Sequence, residues 1–463
     1  MAKAAASFRV KGLFLKDLTL QVPLDWADAS GPHIEVYARE VRKPADADVA
    51  PSADTRYLVY LQGGPGHRAG RPTESGGWVA AALDAGFRVI LLDQRGTGRS
   101  TGAGVGFLTR MVEARGAAAT ADYLANFRAD SIVRDAEALR ESLGVKKWSL
   151  LGQSFGGFCS TLYLSHASES LQEVLLTGGL PPLVGEANAA DGAYRSLFEK
   201  VRVQNAKFYM RFPEDKMAVR RIVQRLLDGP PVKLPLGGTL TARGFQTLGI
   251  LFGLLNGFET VHYLIEDAWD ADGELSFEFL LGVENVIGMH SAPLYLLLHE
   301  SIYCNNGGVS AWAAERVRNE EGFVTQFDAR AALAEDRPVL FTGEMMFPWM
   351  LDELSCMNPL KEVGHKLAER AWGPLYDVEA LRNVSPSTRV ASAAYVEDMF
   401  VDYELARDTA RLIGSAHSDS DGIGGEHVRH LLTSEYNHSG LREDGGTLFK
   451  KLLAMARDEV PVR

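Results

Sequence analysis

The stretch Gly152-Gln153-Ser154-Phe155-Gly156 constrains this chain more than any other. It follows the strand-like run Trp148-Ser149-Leu150-Leu151 and precedes Gly157 and Phe158–Leu164, a run that can form a helix. Strand, sharp turn and helix, with glycines on either side of a serine, make the G-x-S-x-G nucleophile elbow. The glycines let backbones approach closely, and the serine is left exposed at a helix N-terminus.

The surroundings have the rhythm that such an elbow needs. Phe8–Val22 contains alternating apolar residues and ends at Pro23, and Ile34–Val41 alternates as a half-buried strand does. Tyr57–Leu61 and Val89–Leu92 are continuous apolar runs, each followed by a Gly-rich loop. Such runs fit strands buried on both faces of a parallel sheet. Ala129–Leu143 has helical periodicity, and Val174–Thr177 is a further strand. The alternation predicts an open α/β sheet. From about Val184 to Leu360 the pattern becomes helical and rich in aromatics, including Tyr209, Phe252, Phe258, Tyr263, Trp269, Phe277 and Phe279. Strand signals return at Val390–Val396 and near Val428–Thr433, and Gly446–Arg457 is a candidate final helix. One α/β unit is therefore expected in two pieces, residues 1–183 and 385–463, split by a helical cap over 184–384.

A serine hydroxyl needs a general base, and the base needs an orienting acid. With this elbow the order is Ser, then Asp or Glu, then His. Val390–Val396 ends in Glu397-Asp398-Met399, which makes Asp398 the best acid candidate, with Glu397 and Asp402 as neighbours. Among later histidines, His417 follows the acid too closely to leave room for a helix and a strand. His427 and His430 flank or occupy the last strand. His438 lies in the loop before the final helix and fits best. A tetrahedral intermediate also needs backbone donors. The amide of Phe155 is one, and Gly64 in Gln62-Gly63-Gly64-Pro65-Gly66 is the choice for the other.

Other loops carry less. Asp93-Gln94-Arg95-Gly96-Thr97-Gly98-Arg99-Ser100 lacks the spacing of a phosphate loop and reads as structural. His417-Ser418-Asp419-Ser420-Asp421-Gly422 hints at calcium, but position twelve is Val428 rather than Glu. No Cys/His cluster has zinc spacing. Neither metal nor cofactor is called for.

Composition narrows the partners. The net charge is −12, from 48 basic and 60 acidic residues, which argues against nucleic acid. Three cysteines, Cys159, Cys304 and Cys356, do not form a disulfide framework and suit a reducing compartment. The most apolar stretch, Leu248–Leu255, is far shorter than the ~20 residues of a membrane span. The N-terminus lacks the apolar core of a signal peptide. A cytoplasmic protein is expected, with no membrane partner and the oligomeric state open.

Taken together, Gly-Gly-Pro-Gly, Asp-Gln-Arg-Gly-Thr-Gly-Arg-Ser and Gly-Gln-Ser-Phe-Gly-Gly resemble the proline iminopeptidase (prolyl aminopeptidase) family. Tyr-Val-Glu-Asp-Met-Phe-Val and Glu-Tyr-Asn-His-Ser-Gly-Leu-Arg look like the acid and histidine segments of its longer bacterial branch. The resemblance spans nearly the whole chain. It implies an α/β-hydrolase fold with a largely parallel central sheet and an inserted helical cap. It implies a triad of Ser154, Asp398 and His438, and release of N-terminal proline from short peptides through an acyl-enzyme. It also implies cap carboxylates that bind the free amine. Glu344, in Phe-Thr-Gly-Glu-Met-Met-Phe, and Glu300, in Leu-His-Glu-Ser, are the candidates. Two positions depart from the family: Gln62 stands where many members have His, and Phe155 where many have Trp. An esterase or broader amidase on the same scaffold would carry the same triad but have no use for the carboxylates. A hydrolase-like binding protein with little turnover is the reading from another class.

Overall fold

The computed structural model describes residues 3–183, 189–417 and 427–460. Its centre is a nine-stranded sheet in the order β1-β2-β3-β5-β4-β6-β7-β10-β11. The N-terminal strands β1 (Lys3–Val10), β2 (Leu13–Pro23) and β3 (His33–Arg42) pair antiparallel, and β3 joins β5 (Phe87–Asp93) antiparallel. From β5 onward the pairing is parallel, through β4 (Arg56–Leu61), β6 (Trp148–Gln153), β7 (Leu171–Thr177), β10 (Arg389–Tyr395) and β11 (Val428–Thr433). The expected alternation and the largely parallel sheet are both present. The long apolar region Phe8–Val22 divides at Lys11–Gly12 into two strands, because Gly12 at φ +74° supplies the turn.

The continuous apolar runs are buried on both faces. In β4, Tyr57, Val59 and Leu61 join one hydrophobic cluster, while Leu58 and Tyr60 join another on the opposite side. The helices Ala129–Ser142 and Phe155–Ala167 cover the first face. The helices Gly77–Asp84 and Thr447–Ala456 cover the second.

Between β7 and β10 the chain is mainly helical, as expected. Helices include Ala190–Arg211, Asp215–Asp228, Gly257–Glu266 and Phe277–Ile287. A small antiparallel pair, β8 (Val232–Lys233) with β9 (Thr239–Leu240), interrupts them. An aromatic cluster knits this region: Phe208 stacks on Phe252 at 4.7 Å, and Phe258 and Phe341 meet the pair edge-on. Tyr263 and Phe277, also expected in this layer, are exposed. The 183/184 boundary abuts residues outside those described, as do positions 418–422 of the acidic loop.

The strand order dictates where a site can form. From β4 the chain moves to β5 on one side, then crosses to β6 on the other side of β4. The loops after β4 and β6 therefore diverge at the carboxyl ends of neighbouring strands, which leaves a crevice. Gln62–Gly66 and Ser154 lie there.

Candidate active site

Ser154 sits between β6 and the helix that begins at Phe155, with φ 56° and ψ −127°, a conformation most side chains avoid. Its glycine neighbours make the turn possible. A Cβ on Gly156 would lie 1.8 Å from the Leu61 carbonyl oxygen, and one on Gly152 would lie 2.5 Å from the Gly156 oxygen. The Ser154 N–H donates to the Thr177 carbonyl at 3.1 Å, which ties the tip of the elbow to β7. Phe155 opens the helix, so its N–H is one of the first-turn donors that no helix carbonyl can satisfy.

Asp398 follows β10 and is almost fully buried. Its Oδ1 accepts the N–H groups of Phe400 (2.8 Å) and Val401 (3.0 Å), and its Oδ2 lies 2.8 Å from His438 Nδ1. The Phe400 ring stacks on His438 at 4.5 Å and 14°. The loop that carries His438 is held from the other side: Gln153 Nε2 donates to the His438 carbonyl at 3.3 Å. Ser154, His438, Phe400, Gly63 and Gly64 line one cavity of about 880 Å³. A second concavity of about 980 Å³ lies at the opposite ends of the parallel strands, around Arg56, Trp148 and Arg389. The first is at the carboxyl ends, where the chemistry of open α/β sheets is placed. His427 immediately precedes β11 and His430 lies within it, so neither reaches this loop.

The Gly-Gly-Pro-Gly turn packs against the elbow. A Cβ on Gly63 would come within 2.9 Å of Ser154 Cβ, whereas one on Gly64, at φ +131°, would meet Gly66 and His67. Gly63, rather than Gly64, is thus the residue directly against the serine. Gln62, at the unusual position, accepts a hydrogen bond from Tyr60 Oη at 3.0 Å through its side chain, and Gln94 Nε2 donates to its carbonyl at 3.0 Å. The Asp93–Ser100 loop is structural. Asp93 binds Arg71 and the Ala69 and Arg99 amides, and buried Arg95 grips Asp135 with bonds of 2.7 and 2.5 Å.

The two candidate glutamates separate cleanly. Glu344 faces the same cavity as Ser154 and His438. Its Oε1 accepts the Tyr295 hydroxyl proton, while Oε2 makes no hydrogen bond among the described residues. Burial pushes its carboxyl up to about 7, against the opposing influence of His438 and the Tyr295 bond. His299 lies 3.9 Å from Oε2, beyond hydrogen-bond reach, and burial drops its pKa to about 3, so it is a neutral neighbour. Glu300 is a different case and corrects the expectation for it. Its carboxylate caps the short helix Ala313–Arg318, accepting the N–H groups of Ala313 and Ala314 at 2.9 Å each, and it does not line the cavity. Both oxygens are engaged by a helix N-terminus, which leaves none for a substrate amine.

The arrangement holds a hydroxyl at a strained turn, an imidazole anchored by a buried carboxylate, backbone amides beside the hydroxyl and a carboxylate across the cavity. These are the parts used in acyl transfer through a serine. Sequence reasoning missed Gln153 and Phe400 as supports of the histidine loop, because their partners are distant in the chain. Tyr295 was missed for the same reason.

Comparison with known proteins gives the family. Residues 57–214 match a family model described as the alpha/beta hydrolase fold. A proline iminopeptidase from Aeromonas sobria is 44% identical over 405 residues, 87% of this chain and 88% of that protein. A proline iminopeptidase from Aspergillus aculeatus is 32% identical over 454 residues, 95% of this chain and 93% of that protein. The chain has the α/β-hydrolase fold and belongs to the proline iminopeptidase family.

Proposed function

We propose that the protein is a serine aminopeptidase that releases N-terminal proline from short peptides. The observation that carries this reading is Glu344, a carboxylate with one unengaged oxygen in the cavity that holds Ser154 and His438. An esterase has no need of it, whereas an exopeptidase must recognise a free amine, and a charge-assisted hydrogen bond does so. The names of the two long relatives supply the proline.

In this mechanism Ser154 attacks the scissile carbonyl. His438 takes the hydroxyl proton and passes it to the leaving amine. Asp398 holds the His438 tautomer through the 2.8 Å contact at Nδ1. The amides of Phe155 and of Gly64, in the turn that packs Gly63 against the serine, stabilise the oxyanion. Collapse gives a prolyl ester on Ser154, and water, activated by His438, resolves it. We assign residues 1–183 and 385–463 to the catalytic unit and 184–384 to the cap that contributes Tyr295 and Glu344. Among the described residues no helix is long and apolar enough to cross a membrane. The three cysteines form no disulfide among the described residues, which suits a cytoplasmic protein.

The test compares a proline arylamide, its N-acetylated form and a simple aryl ester. Rapid cleavage of the free-amine substrate alone is expected. Equal cleavage of the acetylated compound, or activity on the ester only, would replace this reading with an amidase or esterase.

A further inference from the structure

The cavity is charged at more than one place, and its charges do not cancel. Glu344 is the acid described above. The other acid on the wall, Glu74, is paired with Lys11 at 2.7 Å. Three arginines line the cavity: Arg68, Arg71 and Arg442. Arg71 is committed to Asp93. Arg68 and Arg442 are exposed, and neither has a carboxylate within ion-pair distance among the described residues. Glu443, the acid next to Arg442 in sequence, is turned to the Ser439 hydroxyl and the Leu255 N–H.

Arg442 lines the same cavity as the reacting serine. Its Nη2 lies 3.4 Å from Oε1 of Gln153, the residue before Ser154, a single long contact that leaves most of its donors free. His67 lines this cavity too. Its ring is 5.0 Å from Tyr295, which binds Glu344. The cavity thus offers a carboxylate and unpaired guanidinium groups that do not neutralise each other. That pattern complements a zwitterion whose two ends are close together. In a dipeptide the terminal carboxylate lies only one residue, about 3.6 Å of chain, beyond the scissile carbonyl.

We propose that Arg442, together with Arg68, receives the C-terminal carboxylate of the substrate and so selects di- and tripeptides over amidated or longer chains. This rests on the aminopeptidase reading of the same cavity. A guanidinium pairs with a carboxylate through two parallel N–H donors, and neither an amide end nor an arylamide supplies that acceptor.

The test measures kcat/KM for Pro-Gly, for Pro-Gly amide and for a proline arylamide, which has no carboxylate. The expected preference for Pro-Gly over its amide is roughly tenfold, mainly in KM, and it shrinks at high salt. In the Arg68→Gln/Arg442→Gln double variant the ratio should fall to about one. Wild-type enzyme that cleaves the arylamide but treats Pro-Gly and its amide alike would overturn the carboxylate site and leave the aminopeptidase standing. Failure to cleave any of the three would overturn the aminopeptidase reading itself. A double variant that keeps the preference would remove these arginines from it. If that variant does not fold, the salt dependence of the wild-type ratio decides: a ratio indifferent to salt contradicts an ionic contact.

Discussion

Phe400 holds both partners of the Asp398–His438 pair: its backbone N–H donates to Asp398 Oδ1 at 2.8 Å while its ring lies flat on the imidazole at 4.5 Å. One residue thereby fixes the carboxylate from the main chain and the base from the side chain. Phe400→Leu keeps the amide and removes the stacked ring. It should lower kcat roughly tenfold with little change in KM, since misorientation of the base affects the chemical step more than binding. Steady-state kinetics on a proline arylamide check this.

Asp398→Asn preserves the shape of the site but not the acceptor that Nδ1–H requires. The loss in kcat should be on the order of 10⁴, as expected when the wrong tautomer is favoured. Circular dichroism of the variant should match wild type, which separates this effect from unfolding.

Glu344 gives the enzyme a pH dependence with a definite sign. Burial raises its carboxyl to about 7, so the ionised form that binds an ammonium becomes dominant only above that pH. KM for a free-amine substrate should therefore fall as pH rises from about 6 to about 7, a range in which an N-terminal amine is still largely protonated. Glu344→Gln should raise KM throughout and flatten this limb. Stability runs the other way. A carboxyl with a raised folded pKa favours the fold below its unfolded value of about 4.5, and the contribution is lost as pH rises through about 7. The Gln variant should thus gain in Tm on wild type above pH ~7.

Glu300 should behave as a structural residue. Glu300→Ala strips the cap from Ala313 and Ala314, which costs about 1–2 kcal/mol and lowers Tm. KM for a proline arylamide should stay within about twofold of wild type. Thermal melts and kinetics on the same preparation separate the two roles.

The contrast between these glutamates marks the limit of what the chain alone discloses. Glu300 and Glu344 both lie in the helix-rich region between the two sheet-forming pieces, and nothing in a sequence shows whether a carboxylate will meet a helix N-terminus or a cavity. Much else was legible. The doubly buried strands β4 to β7 announce themselves as apolar runs, and the glycines around Ser154 mark contacts that a Cβ would block. Asp398 and His438 could be placed by their order after late strands. The first half of β1 could not be read, because Ala4-Ala5-Ala6 carries no alternation. The relation of Gly63 to Gly64 turns on a single residue within a tight loop, below the precision of any pattern. Gln153, Phe400 and Tyr295 act on residues reached only through the fold.

Cys159 lies one turn into the helix behind Ser154, yet it is buried and its thiol is pushed well above the ordinary range by desolvation. Iodoacetamide should leave activity intact. Label should appear first on Cys356, the one partly exposed cysteine. Mass mapping of the alkylated enzyme beside an activity assay tests this.

The central claim is that Ser154 carries a prolyl acyl group during turnover. Rapid acid quench of the enzyme with an activated proline ester, followed by peptide mass mapping, tests it most directly. The account predicts one prolyl increment on the peptide containing Ser154, absent from Ser154→Ala. An increment on another residue, or turnover retained in Ser154→Ala, would contradict it.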